Sequence, residues 1–153
     1  MKINKDDIVV VFDGYCVMCS KFVSWLAKRD TQNKIFYTTF ESNFLKKKYP
    51  DIKLADTVFV IDYNAKTYIK TQAIKVCLEK IKHKKLLVTL INMIPLKLAN
   101  LIYSVVAKTR YLFFGKKESC TIPNDIVKSR ILTWIKINYH SEKILHMWTF
   151  HSQ

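Results

Sequence analysis

Two cysteines three positions apart, Cys16 and Cys19, stand where an apolar run breaks at Asp13-Gly14 and a helical pattern begins. Thiols at positions i and i+3 of a helix lie on one face, close enough to form a disulfide with little backbone movement. A cysteine at a helix start also meets unpaired N–H groups and the positive end of the helix dipole, which favour the thiolate. The spacing therefore predicts thiol–disulfide exchange, with Cys16 as nucleophile and Cys19, one turn further in and more buried, as the resolving thiol. Such exchange requires no metal or organic cofactor. Its partners are a disulfide-containing substrate and a thiol electron donor. The competing readings of the pair are a zinc half-site and a structural accident. Zinc usually takes a second pair of ligands at comparable spacing. Here Cys77 and Cys120 are isolated, His83 is alone, and His140, His146 and His151 form a late scatter. The alternative function is a non-catalytic module whose two thiols sense redox state, or hold a metal with Cys120.

The elements that must position this pair are readable from hydrophobic periodicity. Ile8 to Phe12 is continuously apolar and β-branched, as in a strand buried on both faces. From Cys16 to about Arg29, Cys19, Phe22, Val23 and Leu26 fall at helical spacing, with Ser20, Lys21, Ser24 and Lys28 opposite. After a turn over Asp30 to Asn33, Ile35 to Tyr37 reads as a second strand, and a short helix carries Phe44 and Leu45 before Tyr49-Pro50 stops it. Thr57 to Ile61 is a third strand, folded by Asp62 to Lys66 onto Thr67 to Lys70 as a hairpin. Ala73, Ile74, Cys77, Leu78 and Ile81 then mark one side of a helix, which places Cys77 in the core as a small hydrophobe. The order is β-α-β-α-β-β-α, that of a thioredoxin fold, with the two cysteines at the first strand-to-helix junction. We expect an α/β protein of one domain over residues 1–153: a thioredoxin-like core over 6–84 and a helical C-terminal addition over 85–153 packed on it.

Composition bounds the rest. The chain has 153 residues, half of them hydrophobic, enough for one ordinary core and too apolar for disorder. Four cysteines do not make the framework of a secreted disulfide scaffold, and the polar N-terminus shows no signal peptide, so a cytoplasmic location is expected. Lys and Arg outnumber Asp and Glu by 26 to 12, a net charge of +14 that favours anionic partners. Runs such as Lys46-Lys47-Lys48 most often cover solvated helix ends, and specific nucleic-acid binding is disfavoured.

Beyond Lys85, Leu86 to Ala107 is long and apolar, but Pro95, Asn92, Lys97 and Asn100 argue against a simple membrane span. Leu98, Leu101, Ile102, Val105 and Val106 outline one helical face, expected to pack on the sheet domain, with membrane-surface attachment as the alternative. Aromatic and basic residues interleave from Arg110 to Cys120, a pattern that can stack on bases or anchor a loop on the core. Gly115 within it suits a turn with positive φ. Pro123, Asn124 and Asp125 open a further helix bearing Ile126, Val127, Arg130, Ile131, Trp134 and Ile135, and an apolar tail follows His140.

With these residues in view, the chain resembles the DCC family of predicted thiol–disulfide oxidoreductases, a domain of unknown function. Asp13-Gly14-Tyr15-Cys16-Val17-Met18-Cys19 is similar to the motif that names the family. Lys28-Arg29-Asp30, Asp56-Thr57-Val58, Ile94-Pro95, Tyr103, Arg110-Tyr111, Phe114-Gly115-Lys116, Cys120 and Pro123 follow its later pattern, so the resemblance covers roughly 8–132. It implies a thioredoxin-like fold and a redox role for Cys16 and Cys19, with Asp13, Tyr15, Thr57 and Cys120 as candidate neighbours of the site. The chain departs from thioredoxins in two ways. Thr57 stands where they carry a cis-proline before the third strand, and Tyr-Cys-Val-Met-Cys replaces Trp-Cys-Gly-Pro-Cys, so the resemblance does not by itself imply peptide binding of the thioredoxin kind. One local conflict remains. The helix start favours the Cys16 thiolate, whereas Asp13 opposes it if near. We expect the helix to prevail, with the Asp13 side chain turned into solvent.

Overall fold

The computed structural model describes residues 4–48, 57–81 and 85–132. Strand β1 (Ile8–Phe12) leads into helix α1 (Val17–Arg29), followed by β2 (Ile35–Thr39), α2 (Asn43–Lys48), β3 (Phe59–Asp62), β4 (Thr67–Ile69) and α3 (Lys70–Lys80). Three helices then follow: α4 (Lys85–Met93), α5 (Leu96–Phe114) and α6 (Asp125–Ser129). The first seven elements come in the expected order, and the architecture is the thioredoxin-like α/β fold with helical additions.

The strands form one sheet in the order β2-β1-β3-β4, with β1 parallel to β2 and the other pairs antiparallel. Val10 of β1 lies opposite Tyr37 of β2 and Val60 of β3, which centres β1 in the sheet. Because side chains alternate along a strand, each face collects every second residue. Ile8, Val10, Phe12, Ile35, Tyr37 and Val60 meet Val23 and Leu26 of α1 and Ala73 and Cys77 of α3. Val9, Val11, Phe36, Phe59 and Ile61 meet Phe44 and Leu45 of α2. The continuous apolar run of β1 is thus the signature of a strand covered on both faces, and Cys77 is a core residue as expected.

Local chemistry fixes the connections. Asp62 closes the hairpin, its Oδ1 accepting the N–H of Asn64 and of Lys66, each at 2.9 Å. Asp30 caps the end of α1, and its buried carboxylate accepts the Ile35 N–H at 2.8 Å and pairs with Arg130 at 2.9 Å. Gly115 ends α5 at φ 82°, the positive value expected of it. Asn124 caps α6 through the Val127 N–H at 2.8 Å. That helix stops at Ser129, while Trp134, Ile135 and the tail after His140 lie outside the described residues.

Helix α5 packs on α1 and α3, but not through the face its apolar stripe suggested. Leu98, Leu101, Ile102, Val105 and Val106 are exposed, whereas Ala99 and Arg110 are buried and Tyr103 is partly so. The inward face carries a small residue, Ala99, and polar groups, Arg110 and Tyr103, that bond the two-cysteine turn and the start of β3. No helix among the described residues is long and apolar enough to cross a membrane.

Candidate active site

The site begins with the turn that ends β1. Asp13 accepts the Tyr15 N–H on Oδ1 at 2.9 Å, and its backbone carbonyl accepts the Cys16 N–H at 3.3 Å. A side chain at Gly14 would meet the sulfur of Cys120, which would have to turn away to admit it. Cys16 has extended backbone angles and is the N-cap of α1: its carbonyl accepts the Ser20 N–H at 3.0 Å, and its Sγ accepts the Cys19 N–H at 3.3 Å. Helix N-termini leave such N–H groups without intrahelical partners, and here a sulfur takes one.

Both cysteines are thiols, and both are buried. The expected contrast is not found, since Cys16 is 0% exposed and Cys19 4%. Cys16 is sealed by the segment after α5. It forms an antiparallel bridge with Lys116, Lys117 N–H donates to the Tyr15 carbonyl at 2.8 Å, and Thr121 N–H donates to the Gly14 carbonyl at 3.2 Å. Lys117 Nζ ties this strap to Thr121 Oγ1 at 2.5 Å and to Ser20 Oγ at 3.3 Å. The Lys116 ammonium lies over the rings of Tyr15 and Tyr111, at 5.9 and 5.7 Å.

Asp13 corrects an expectation. Its side chain does not turn into solvent; it is buried and receives Arg110 Nη2 at 3.3 Å and the Tyr111 hydroxyl, from 97 and 98 residues away. Arg110 also donates to the Ala107 carbonyl and to the Tyr111 oxygen, each at 3.0 Å, and its guanidinium lies 4.5 Å from the Tyr111 ring centre. A carboxylate that the sequence places beside a thiol is thus balanced by a buried cation from α5.

Opposing influences meet on Cys16, and its pKa falls to about 6. The hydrogen bond from the Cys19 side chain is the largest cause. Burial pushes the other way, and the Cys19 N–H and the Arg110 charge outweigh the carboxylate of Asp13. Cys19 is pushed up, first by its hydrogen bond to Cys16, then by burial and by the neighbouring thiolate charge. At neutral pH the two sulfurs are therefore a thiolate and a thiol sharing one proton, which is the starting state for disulfide exchange.

The other sequence candidates gather around this centre unequally. Tyr15 packs on the strap through Lys116. Thr57 lies before β3 and donates to the Tyr103 hydroxyl at 3.1 Å, and that oxygen also accepts the Val58 N–H at 3.0 Å. Cys120 sits against Gly14 with an exposed side chain, and burial together with Glu41 raises its pKa. It is neither a core thiol nor an activated one. Arg110, Tyr103 and Lys117 were missed as site residues. No local signal singles them out, because α5 also carries Lys97, Asn100, Ser104, Lys108 and Thr109, and Lys117 lies beyond it.

A thioredoxin-like sheet with a cysteine pair at the start of its first helix defines the class, that of proteins built like thiol–disulfide oxidoreductases. The chain belongs to the DCC1-like thiol-disulfide oxidoreductase family, whose model matches residues 10–116, from β1 to the strap and short of Cys120. It is 35% identical over 130 residues to the uncharacterized protein YuxK of Bacillus subtilis, covering 81% of this chain and 93% of that protein. It is 28% identical over 124 residues to a chloroplastic DCC family protein of Arabidopsis thaliana, covering 74% of this chain and 69% of that one. No solved structure matches.

Proposed function

We propose that this protein is a dithiol–disulfide oxidoreductase in which Cys16 attacks the substrate disulfide and Cys19 resolves the mixed disulfide. The observation that carries the reading is the sulfur of Cys16 capping α1, 3.3 Å from the Cys19 N–H, with its pKa lowered to about 6. Attack by the thiolate gives a mixed disulfide, which the second thiol displaces, leaving Cys16 and Cys19 joined; a thiol donor then returns the pair to the dithiol. The chemistry needs no metal or organic cofactor. Because Cys16 has no exposed surface, the strap over it must part for a substrate to be attacked.

The test is to trap the intermediate. Cys16→Ser abolishes exchange with a model disulfide, whereas Cys19→Ser attacks once and accumulates a mixed disulfide visible by mass spectrometry. Equal trapping by both variants would remove the assigned order. The complete burial of Cys16 favours a second reading, a redox-sensing module without turnover. A reduced pair that oxidises reversibly yet never reduces a model disulfide through repeated cycles would select it.

A further inference from the structure

The apolar stripe of α5 faces outward. Leu98, Leu101, Ile102, Val105 and Val106 share one side of the helix, as their spacing dictates, and all are exposed. Leu112 and Phe113, 83% and 75% exposed, carry the stripe to the C-terminal end, over roughly 22 Å of helix at 1.5 Å per residue. Single exposed apolar residues are normal on a protein surface, whereas twelve of the sixteen large ones exposed among the described residues fall between Leu90 and Phe114. A patch of that kind marks an interaction surface. It is the convex outer side of a helix whose other side packs on α1 and α3, so it offers no groove to a ligand or to a partner's helix.

Charge decides what covers it. From Lys80 to Lys117 the chain carries no Asp or Glu. Lys97 and Lys108, three helical turns apart, run along one border of the stripe, and Lys116 follows its C-terminal end. All three are exposed, and among the described residues none has a carboxylate within ion-pair distance. A second copy would set these lysines against each other in a chain of net charge +14, whereas anionic headgroups attract them. No helix among the described residues is long and apolar enough to cross a membrane, which leaves a helix lying in the surface. We propose that the outer face of α5 docks on an anionic lipid bilayer. Its leucine, valine and phenylalanine side chains enter the acyl boundary, and its lysine stems reach up to place the ammonium groups at the headgroups. The inner face of the same helix keeps Arg110 on Asp13 and Tyr103 on Val58, so docking leaves the cysteine site as built. The proposal stands independently of the oxidoreductase reading.

The test is co-sedimentation of the full, reduced chain with two kinds of vesicle, phosphatidylcholine alone and an equal mixture with phosphatidylglycerol. The mixed vesicles bind it about tenfold tighter or more, and added salt weakens the binding. Lys97→Gln and Lys108→Gln each weaken it about fivefold. Leu101→Asn/Val105→Asn, and separately Leu112→Asn/Phe113→Asn, weaken it about tenfold or more; both pairs are exposed, so each variant keeps the Tm of the native chain. Phe113→Trp adds an emission that shifts to the blue on the mixed vesicles and is quenched by bromine on their acyl chains. Equal binding to both kinds of vesicle, or none, overturns the proposal. So does binding that a folded stripe variant leaves intact, as adsorption by charge alone or attachment through residues 133–153 would give. A dimer in solution that the stripe variants split also overturns it, and assigns the face to a second copy.

Discussion

Replacing Arg110 with methionine keeps an unbranched apolar stem and removes the guanidinium with its charge, and the consequence falls on Asp13. The two ion-pair side chains are 4% and 9% exposed and 3.3 Å apart. Removing one partner of a buried pair leaves the other charge uncompensated, typically at a cost of ~3–5 kcal/mol. Asp13 keeps two donors, Tyr15 N–H and the Tyr111 hydroxyl, so the lower end applies, about 3 kcal/mol. In a chain of this size that lowers Tm by roughly 6–12 °C. The double variant Asp13→Asn/Arg110→Met removes both charges and is less destabilised than the sum of the singles by about 1 kcal/mol or more. Urea denaturation of the four proteins in reducing buffer gives the cycle. The thiol supplies an independent readout. Arg110 lowers and Asp13 raises the Cys16 pKa, so the midpoint of its alkylation against pH moves up in Arg110→Met and down in Asp13→Asn. A loss below about 1 kcal/mol for Arg110→Met, or midpoints that move in the same direction, refutes the reasoning.

Alkylation of the native reduced protein shows Cys16 titrating with a midpoint of about 6; at pH 7 roughly nine-tenths is thiolate, against about 3% for an ordinary cysteine of pKa ~8.5. A midpoint above that of a free cysteine removes the activated thiolate from the argument. Because the folded value lies below the unfolded one, the reduced fold also gains stability as pH rises from about 6 towards the unfolded thiol's value, and loses it as pH falls through 6. Lys117→Pro deletes the N–H that donates to the Tyr15 carbonyl at 2.8 Å. The same substitution removes the Lys117 Nζ bonds to Ser20 and Thr121, so the loss is about 1 kcal/mol or more and Cys16 alkylation speeds about fivefold or more at every pH without moving its midpoint; an unchanged rate means that the strap does not gate the sulfur.

The core was legible because its signals are local. The apolar run of β1, the 3.6-residue period of α1 and the Asp62 turn each name an element from a dozen residues or fewer, and the order of elements then leaves few topologies. The same locality placed Cys16 at a helix start and Cys77 in the core. It failed where the answer lay far along the chain. Asp13 looked free to face water because its partners, Arg110 and Tyr111, belong to α5. The seal over Cys16 comes from residues 116–121, and no spacing rule links them to the turn at Asp13. For α5 itself, hydrophobicity named the wrong face. A helix that roofs a reactive site turns Arg110 and Tyr103 inward to bond the turn and the β3 start, and its leucine and valine stripe is left outside.

That inward face resolves an apparent conflict at Cys16. Burial disfavours a thiolate, and Cys16 has no exposed surface, yet its pKa is lowered. The anion is solvated by protein instead of water: the Cys19 side chain and N–H donate to it, and the Arg110 charge lies near. A pKa of about 6 in place of ~8.5 stabilises the dithiol at pH 7 by about 1.4 kcal/mol, which for a two-electron couple is about 30 mV towards the oxidising side. Oxidation erases the anion and, with it, one of the charges Arg110 serves, leaving the guanidinium paired with Asp13. In the proposed cycle the same arginine thus balances the carboxylate throughout and the thiolate only in the dithiol state.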